Sequence, residues 1–256
     1  MKQEPVPLLV DKQAGIRTLT INRPEKLNAL TPEVLERLVD ALNAAGEDKD
    51  TFVVVLRGAG DKAFCSGFDV SLLAPAEEHG DPMVEMVNAV RNCPVPVIAM
   101  IHGHCIGGGC GLALACDIRL ADSNARVGIT VAKMGLVYPP SALRCLIDAV
   151  GVPAAKELLF TARLVDAEEA VRIGLVNRVV PPEQLEQVTY EMARRIASNS
   201  APAVRSAKGL IHRLQESRAA AEEYFAELQQ RGATALDAAE GKKAFLEKRT
   251  PDFRNP

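Results

Sequence analysis

The chain has 256 residues, 48% of them hydrophobic and 25% charged, with 30 Lys and Arg against 33 Asp and Glu. That composition excludes disordered and fibrous chains, and at this length one domain with an appendage is expected, because a single core can bury roughly three quarters of the unfolded surface. A net charge of -3 leaves no basic footprint for nucleic acid or an anionic membrane.

The first residues, Met1 to Pro5, carry no apolar targeting core and no run reaches the length of a bilayer, so a cytoplasmic location is expected. Pro7 to Val10 reads as a strand, and Ile16 to Asn22 alternates with a period of two. A helix is expected from Thr31 to about Ala45, with Thr31 as N-cap and Pro32 in the first turn. Phe52 to Leu56 and Val95 to Ile101 are continuous apolar runs, the pattern of strands covered on both faces. Between them Met83 to Val90 has the spacing of an amphipathic helix, and Leu112 to Cys116 reads as a small-residue helix packed closely on a neighbour. The alternation places the chain in the α/β class.

Beyond Ala125 the glycines and prolines at Gly128, Gly135, Pro139 and Pro140 interrupt this pattern, and from Ser141 onward helices dominate. Pro153 starts one helix, and Asp166-Ala-Glu-Glu169 has the form of a capping box for another. Val176 to Val180 is a short strand, which Pro181-Pro182 separates from a helical tail that runs to about Lys248 and is interrupted at Pro202. The expected division is a core of residues 1–181 and a helical region of residues 182–256, serving as an arm on the body or as an oligomerisation surface.

Six cysteines (Cys65, Cys93, Cys105, Cys110, Cys116 and Cys145) lack the density of a disulfide scaffold and are expected as reduced thiols. His102, His104, Cys105 and Cys110 are too contiguous for a zinc site, and no metal is expected; histidines bonded to backbone and thiols filling the core are the plainer reading. Chemistry points instead to Gly107-Gly-Gly109, which follows a buried strand and precedes a helix. Glycines there let backbone amides approach an anion at the positive end of the helix, although a tight turn without a ligand has the same composition. Leu112 stands where a dinucleotide fingerprint needs a third small residue, and no lysine completes a P-loop. Lys62-Ala-Phe-Cys-Ser-Gly-Phe-Asp69 follows another strand and can present a second amide to the same point, and two amides from two loops make an oxyanion hole. Asp69 reads as a structural carboxylate in preference to a base.

Several stretches together resemble the crotonase superfamily, the enoyl-CoA hydratase/isomerase family. They are Ile21-Asn-Arg-Pro-Glu-Lys-Leu-Asn-Ala-Leu30, Ala63-Phe-Cys-Ser-Gly-Phe-Asp69, Pro96-Val-Ile-Ala99 with Gly103, Gly107-Gly-Gly-Cys110, Ala115-Cys-Asp117, Gly174-Leu-Val-Asn-Arg-Val-Val180 and Ala244-Phe-Leu-Glu-Lys-Arg249. The resemblance covers nearly the whole chain in order. It implies a ClpP-like spiral of ββα units with a helical C-terminal region that builds homotrimers, often stacked as homohexamers. It further implies an oxyanion hole from the amides of Phe68 and Gly108 that holds an acyl-CoA thioester oxygen, with CoA contacts at Lys26, Leu27, Ala29, Ser66, Phe245 and Lys248. CoA enters as part of the substrate, and no separate cofactor is expected.

Hydratases of the family carry two glutamates that handle water, and the matching positions here are Gly111 and Val131. Neither can transfer a proton. Gly128-Ile-Thr-Val-Ala-Lys-Met-Gly-Leu-Val-Tyr138 is similar to methylmalonyl-CoA decarboxylase, which has a Thr and a Tyr at the positions of Thr130 and Tyr138 but a His where this chain has Phe68. Decarboxylation of a malonyl-type thioester is therefore the favoured expectation, because it needs a held carboxylate and waiting amides rather than a base. Isomerisation or atypical hydration of an enoyl-CoA, and acyl-CoA binding without turnover, stay open beside it. Thr130 bonding its own backbone and Tyr138 closing a turn are the corresponding structural readings.

Overall fold

In the computed structural model, which describes residues 6–69, 81–232 and 235–253, the strands form two sheets. The larger has the order β1 (Leu8–Gln13), β2 (Ile16–Ile21), β3 (Val53–Gly58), β5 (Val97–Ile101), β7 (Ile118–Asp122) and β10 (Arg178–Val180). Its β1–β2 pair is an antiparallel hairpin closed by Ala14 and Gly15, both at positive φ, and every other pairing is parallel. The smaller sheet has the order β4 (Ala63–Cys65), β6 (His104–Ile106), β8 (Arg126–Gly128) and β9 (Val165–Asp166).

The chain passes repeatedly from one sheet to the other: β3 leads to β4, β5 to β6 and β7 to β8. Each passage is followed by helix, with α2 (Pro82–Asn92), α3 (Gly108–Ala115) and α4 (Pro140–Thr161) in turn. This is the expected spiral of ββα units. The corner between β5 and β6 is tight: Gly103 has φ +56, and a Cβ there would meet the Lys62 carbonyl oxygen.

Apolar runs in β3 and β5 are continuous because both faces are covered. Val54, Leu56, Val97 and Ala99 join the core shared with α1 (Pro32–Glu47), α2 and α3, whereas Val53, Val55, Ile98 and Met100 face α6 (Leu185–Ala197) through Leu185, Ala193 and Ala197. Thr31 caps α1 as expected, its hydroxyl accepting from the Val34 amide at 3.2 Å. Asp166 caps α5 (Ala167–Arg172) by accepting from the Glu169 amide at 2.9 Å. Three expectations shift. The small-residue helix begins at Gly108 instead of Leu112, so the glycines are its first turn. Pro153 restarts a helix that begins at Pro140 and kinks at Gly151, φ +74. The last strand is only Arg178–Val180.

The C-terminal helices are α7 (Ala201–Glu216), α8 (Arg218–Gln230) and α9 (Ala235–Glu247). Lys208 on α7 is buried and ties it to the core, donating to the Asp117 carboxylate at 2.8 Å and the Val95 carbonyl at 3.1 Å. Arg205 adds a bond to the Thr51 carbonyl at 3.0 Å. Among the described residues, no helix is long and apolar enough to cross a membrane.

Candidate active site

Because β4 and β6 are parallel neighbours, the loops that follow them leave the same edge of the small sheet side by side. In the first loop, Leu30 donates to the Gly67 carbonyl and Asp69 donates to the Leu30 carbonyl, both at 2.8 Å, which leaves the intervening Phe68 amide out of the ladder. In the second, Gly107 adopts φ +56 with its amide on the Gly128 carbonyl at 2.9 Å, and α3 starts at the next residue. Neither the Phe68 nor the Gly108 amide donates to any group among the described residues.

The two amides are close. A Cβ on Gly108 would lie 3.3 Å from the Phe68 nitrogen and 2.6 Å from its ring, and a Cβ on Gly67 would lie 3.1 Å from the Gly108 nitrogen. Gly109 has the same constraint against the Cys65 carbonyl, at 2.2 Å. Glycine is thus required at 108 and 109 for close approach, and the outcome is two N–H groups with no acceptor among the described residues, at the positive end of a buried helix. That is the geometry of an oxyanion receptor.

Thr130 and Tyr138 come to the same helical turn from the other side. Thr130 precedes the 3-10 turn Val131–Met134 without capping it by its side chain, and a side chain on Gly107 would begin 3.9 Å from its hydroxyl. The reading in which Thr130 caps its own backbone therefore fails for that turn. Tyr138 is buried, and its hydroxyl has no hydrogen-bond partner among the described residues. A Cβ on Gly111 would lie 3.0 Å from this hydroxyl oxygen and 2.9 Å from the Met83 sulfur. Gly111 donates to the Gly107 carbonyl at 3.0 Å, so Thr130 and Tyr138 flank one turn of α3. Burial pushes the Tyr138 pKa well up, which keeps the phenol protonated and able to donate. Val131 packs partly buried against the core, and Lys133 is exposed.

Asp69 is held by Arg23, whose guanidinium lies 3.4 Å from the carboxylate and donates to the Ala29 carbonyl at 2.8 Å. This agrees with the structural reading of Asp69. The Lys26 segment is shaped by Leu27 and Asn28, both at positive φ, with the Asn28 side chain buried and bonded to the Ala59 and Ala63 carbonyls at 2.9 and 2.7 Å. Ser66 donates its amide to the Leu27 carbonyl at 3.0 Å, so Lys26, Leu27, Ala29 and Ser66 do lie together beside the Phe68 loop. Phe245 and Lys248 stand apart at the end of α9, exposed, with no recorded contact to that group among the described residues. The expected histidine bonds to backbone are not found at His102 Nε2 or His104 Nδ1, which are buried without partners among the described residues. The thiols do behave as core residues, all six free and buried. Sequence reasoning missed Met83 and Arg23, which are remote in sequence from what they touch; nothing in their local pattern marks them.

A family model described as enoyl-CoA hydratase/isomerase matches residues 11–256. The chain is 36% identical over 211 residues to a short-chain-enoyl-CoA hydratase from Clostridium acetobutylicum, covering 80% of this chain and 81% of the relative. Among solved structures it is similar to an enoyl-CoA hydratase from Bacillus anthracis, with a TM-score of 0.85 and 35% identity over 96% of this chain and 98% of that one. It is likewise similar to an enoyl-CoA hydratase from Mycobacterium smegmatis, with a TM-score of 0.88 and 33% identity over 97% and 99% of the two chains. With the sheet order, the glycine turn and these matches in agreement, the chain belongs to the enoyl-CoA hydratase/isomerase family of the crotonase superfamily.

Proposed function

We propose that the Phe68 and Gly108 amides hold the thioester oxygen of an acyl-CoA as it gains enolate charge, and that the reaction is decarboxylation of a malonyl- or alkylmalonyl-type thioester. The observation that carries this reading is the filling of the Gly111 site. Where hydratases of the family place a glutamate, this chain has a neutral phenol and a thioether, and Asp69 is engaged by Arg23.

In this reading the Tyr138 and Thr130 hydroxyls donate to the substrate carboxylate and turn it across the thioester plane. The bond to that carboxylate breaks, its electron pair moves into the thioester, and carbon dioxide leaves as the oxygen becomes the oxyanion between the two amides. Donation at that point is worth about 10²–10³-fold in rate per amide. Hydroxyls suit the carboxylate better than a cation, which would stabilise the ground state along with the transition state. Lys26, Leu27, Ala29 and Ser66 bind the CoA portion. Residues 182–256 act as the self-association region of a homotrimer or homohexamer, supported by the exposed Ile211, Leu214, Phe225, Leu236 and Leu246, and Phe245 and Lys248 reach CoA in a neighbouring subunit.

A second reading, hydration of a short enoyl-CoA, is favoured by the name of the Clostridium acetobutylicum relative. Incubation with malonyl-, methylmalonyl-, ethylmalonyl- and enoyl-CoA thioesters, read by mass spectrometry, separates the two. Loss of 44 mass units, a carbon dioxide on the order expected for this bond cleavage, from a malonyl type supports the first. Gain of water by an enoyl type, with malonyl types untouched, overturns it in favour of the second.

A further inference from the structure

Away from the oxyanion hole, the turn at Arg91 to Pro94 and helices α7 and α8 enclose a cavity of about 320 Å³. Four cations line it, Arg91, Arg205, Lys208 and Arg213, against one lining carboxylate, Glu216. Lys208 has its own carboxylate in Asp117 at 2.8 Å, so the group retains an excess of two positive charges. The three arginines are held by neutral acceptors. Arg91 donates to the Gln215 side chain at 3.0 Å, Arg205 to the Thr51 carbonyl at 3.0 Å, and Arg213 to the Gly209 carbonyl at 3.3 Å while stacking 3.7 Å from the centre of the Tyr224 ring. None of the three forms an ion pair among the described residues.

A further observation points the same way. The buried Arg205 Nε–H has no acceptor among the described residues, and such a group in a folded protein asks for a bound water or ion. His212, which also lines the cavity 3.9 Å from the Asp117 carboxylate, has its pKa lowered first by burial and then by the Arg91 and Lys208 charges, so it adds no cation of its own to the cluster. Collecting like charges in one concavity is costly unless a ligand neutralises them, and guanidinium forks match the oxygens of phosphate and carboxylate. The volume lies at the lower end of small-molecule sites.

We propose that this cavity is a binding site for a small, multiply charged oxyanion, either a phosphate-bearing or a polycarboxylate metabolite, separate from the acyl-CoA site and independent of the reaction assigned to it. The anion would bridge Arg91, Arg205 and Arg213 and so clamp α7 and α8 onto the turn before β5.

The test is isothermal titration of the full chain with inorganic pyrophosphate and, separately, with citrate. Wild type, Arg205→Gln, Arg213→Gln and, as a control for the CoA segment, Lys26→Ala are compared. Saturable binding of one of the two anions, weakened about tenfold or more by either arginine substitution, unchanged by Lys26→Ala and weakened by added salt, is the expected result. Which of the two anions binds decides phosphate against carboxylate. Circular dichroism of each variant shows whether the fold is retained, and Arg205→Lys, which keeps the charge and loses the fork, should bind with intermediate affinity. The proposal is overturned if neither anion saturates the wild type, or if binding survives both arginine substitutions. It is also overturned if the substitutions change only the oligomeric state, which would assign the cations to a subunit contact.

Discussion

Replacing Gly108 by Ala adds one methyl group where the proposed oxyanion receptor is most crowded. The new Cβ would sit 2.6 and 2.7 Å from two Phe68 ring carbons, whereas carbons in contact prefer about 3.5–4.0 Å, so the ring must yield by roughly 1 Å. Helical alanine is intrinsically favourable, and this position has no positive φ, so the penalty comes from Phe68, chiefly its ring and to a lesser degree its backbone nitrogen at 3.3 Å. Overpacking of this kind costs about 1–3 kcal/mol, and a chain of this size loses about 2–4 °C of melting temperature per kcal/mol. The larger effect is on chemistry. Phe68 carries one of the two amides, and a displacement of about 1 Å removes its alignment with the thioester oxygen, for an expected loss of 10²–10³-fold in turnover. The assay is release of carbon dioxide from a malonyl-type thioester, which passes through the enolate without needing a base, run beside thermal melting. The double variant Gly108→Ala with Phe68→Ala removes the ring while keeping both amides, so decarboxylation should recover most of the loss. Undiminished decarboxylation by the single variant, or a double variant no better than the single, would refute the role assigned to this pair of loops.

Tyr138→Phe removes a buried hydroxyl that has no partner among the described residues, so the melting temperature should rise by the equivalent of about 1 kcal/mol while turnover of a malonyl-type thioester falls about 10–100-fold; a parallel loss of stability would contradict the free hydroxyl. Gly111→Glu places a carboxylate where the proposed reading puts a hydratase glutamate, but it forces its Cβ to within 3.0 Å of the Tyr138 oxygen and 2.9 Å of the Met83 sulfur, so it should destabilise the fold without creating crotonyl-CoA hydration, and measurable hydration by this variant would sink the argument. At the C-terminus, Glu240 is held at about 2, below its ordinary 4.5, first by the Arg249 side chain and then by the Asp252 amide. A lowered carboxylate pKa means stability that is complete above pH 4.5 and lost as the pH falls through about 2, so the acid limb of a melting-temperature profile should flatten in Arg249→Gln and stay unchanged if the pair contributes nothing.

Much of this protein was legible from local pattern. Continuous apolar runs such as Val53 to Leu56 can be buried only when both faces of a strand are covered, and Thr31 with Pro32 can start a helix wherever it is later packed. Consecutive glycines before a small-residue helix likewise announce close backbone approach, because no other residue leaves the space. The absence of a proton-transferring side chain at positions 111 and 131 is also a property of the sequence alone.

Tertiary structure decided what stands in its place. Met83 and Gly111 lie on two helices and Tyr138 in the loop before α4, and only the packing of α2 against α3 and the return of the chain at Tyr138 puts a thioether and a phenol around the same Gly111 position. The pairing of Arg23 with Asp69 spans 46 residues, and the cluster of Arg91, Arg205 and Arg213 spans more than a hundred. Sequence spacing reports neighbours only along one helix or strand, with periods of 3.6 and 2 residues. Contacts between elements depend on how the sheets and helices stack, and that stacking is set by the whole core at once.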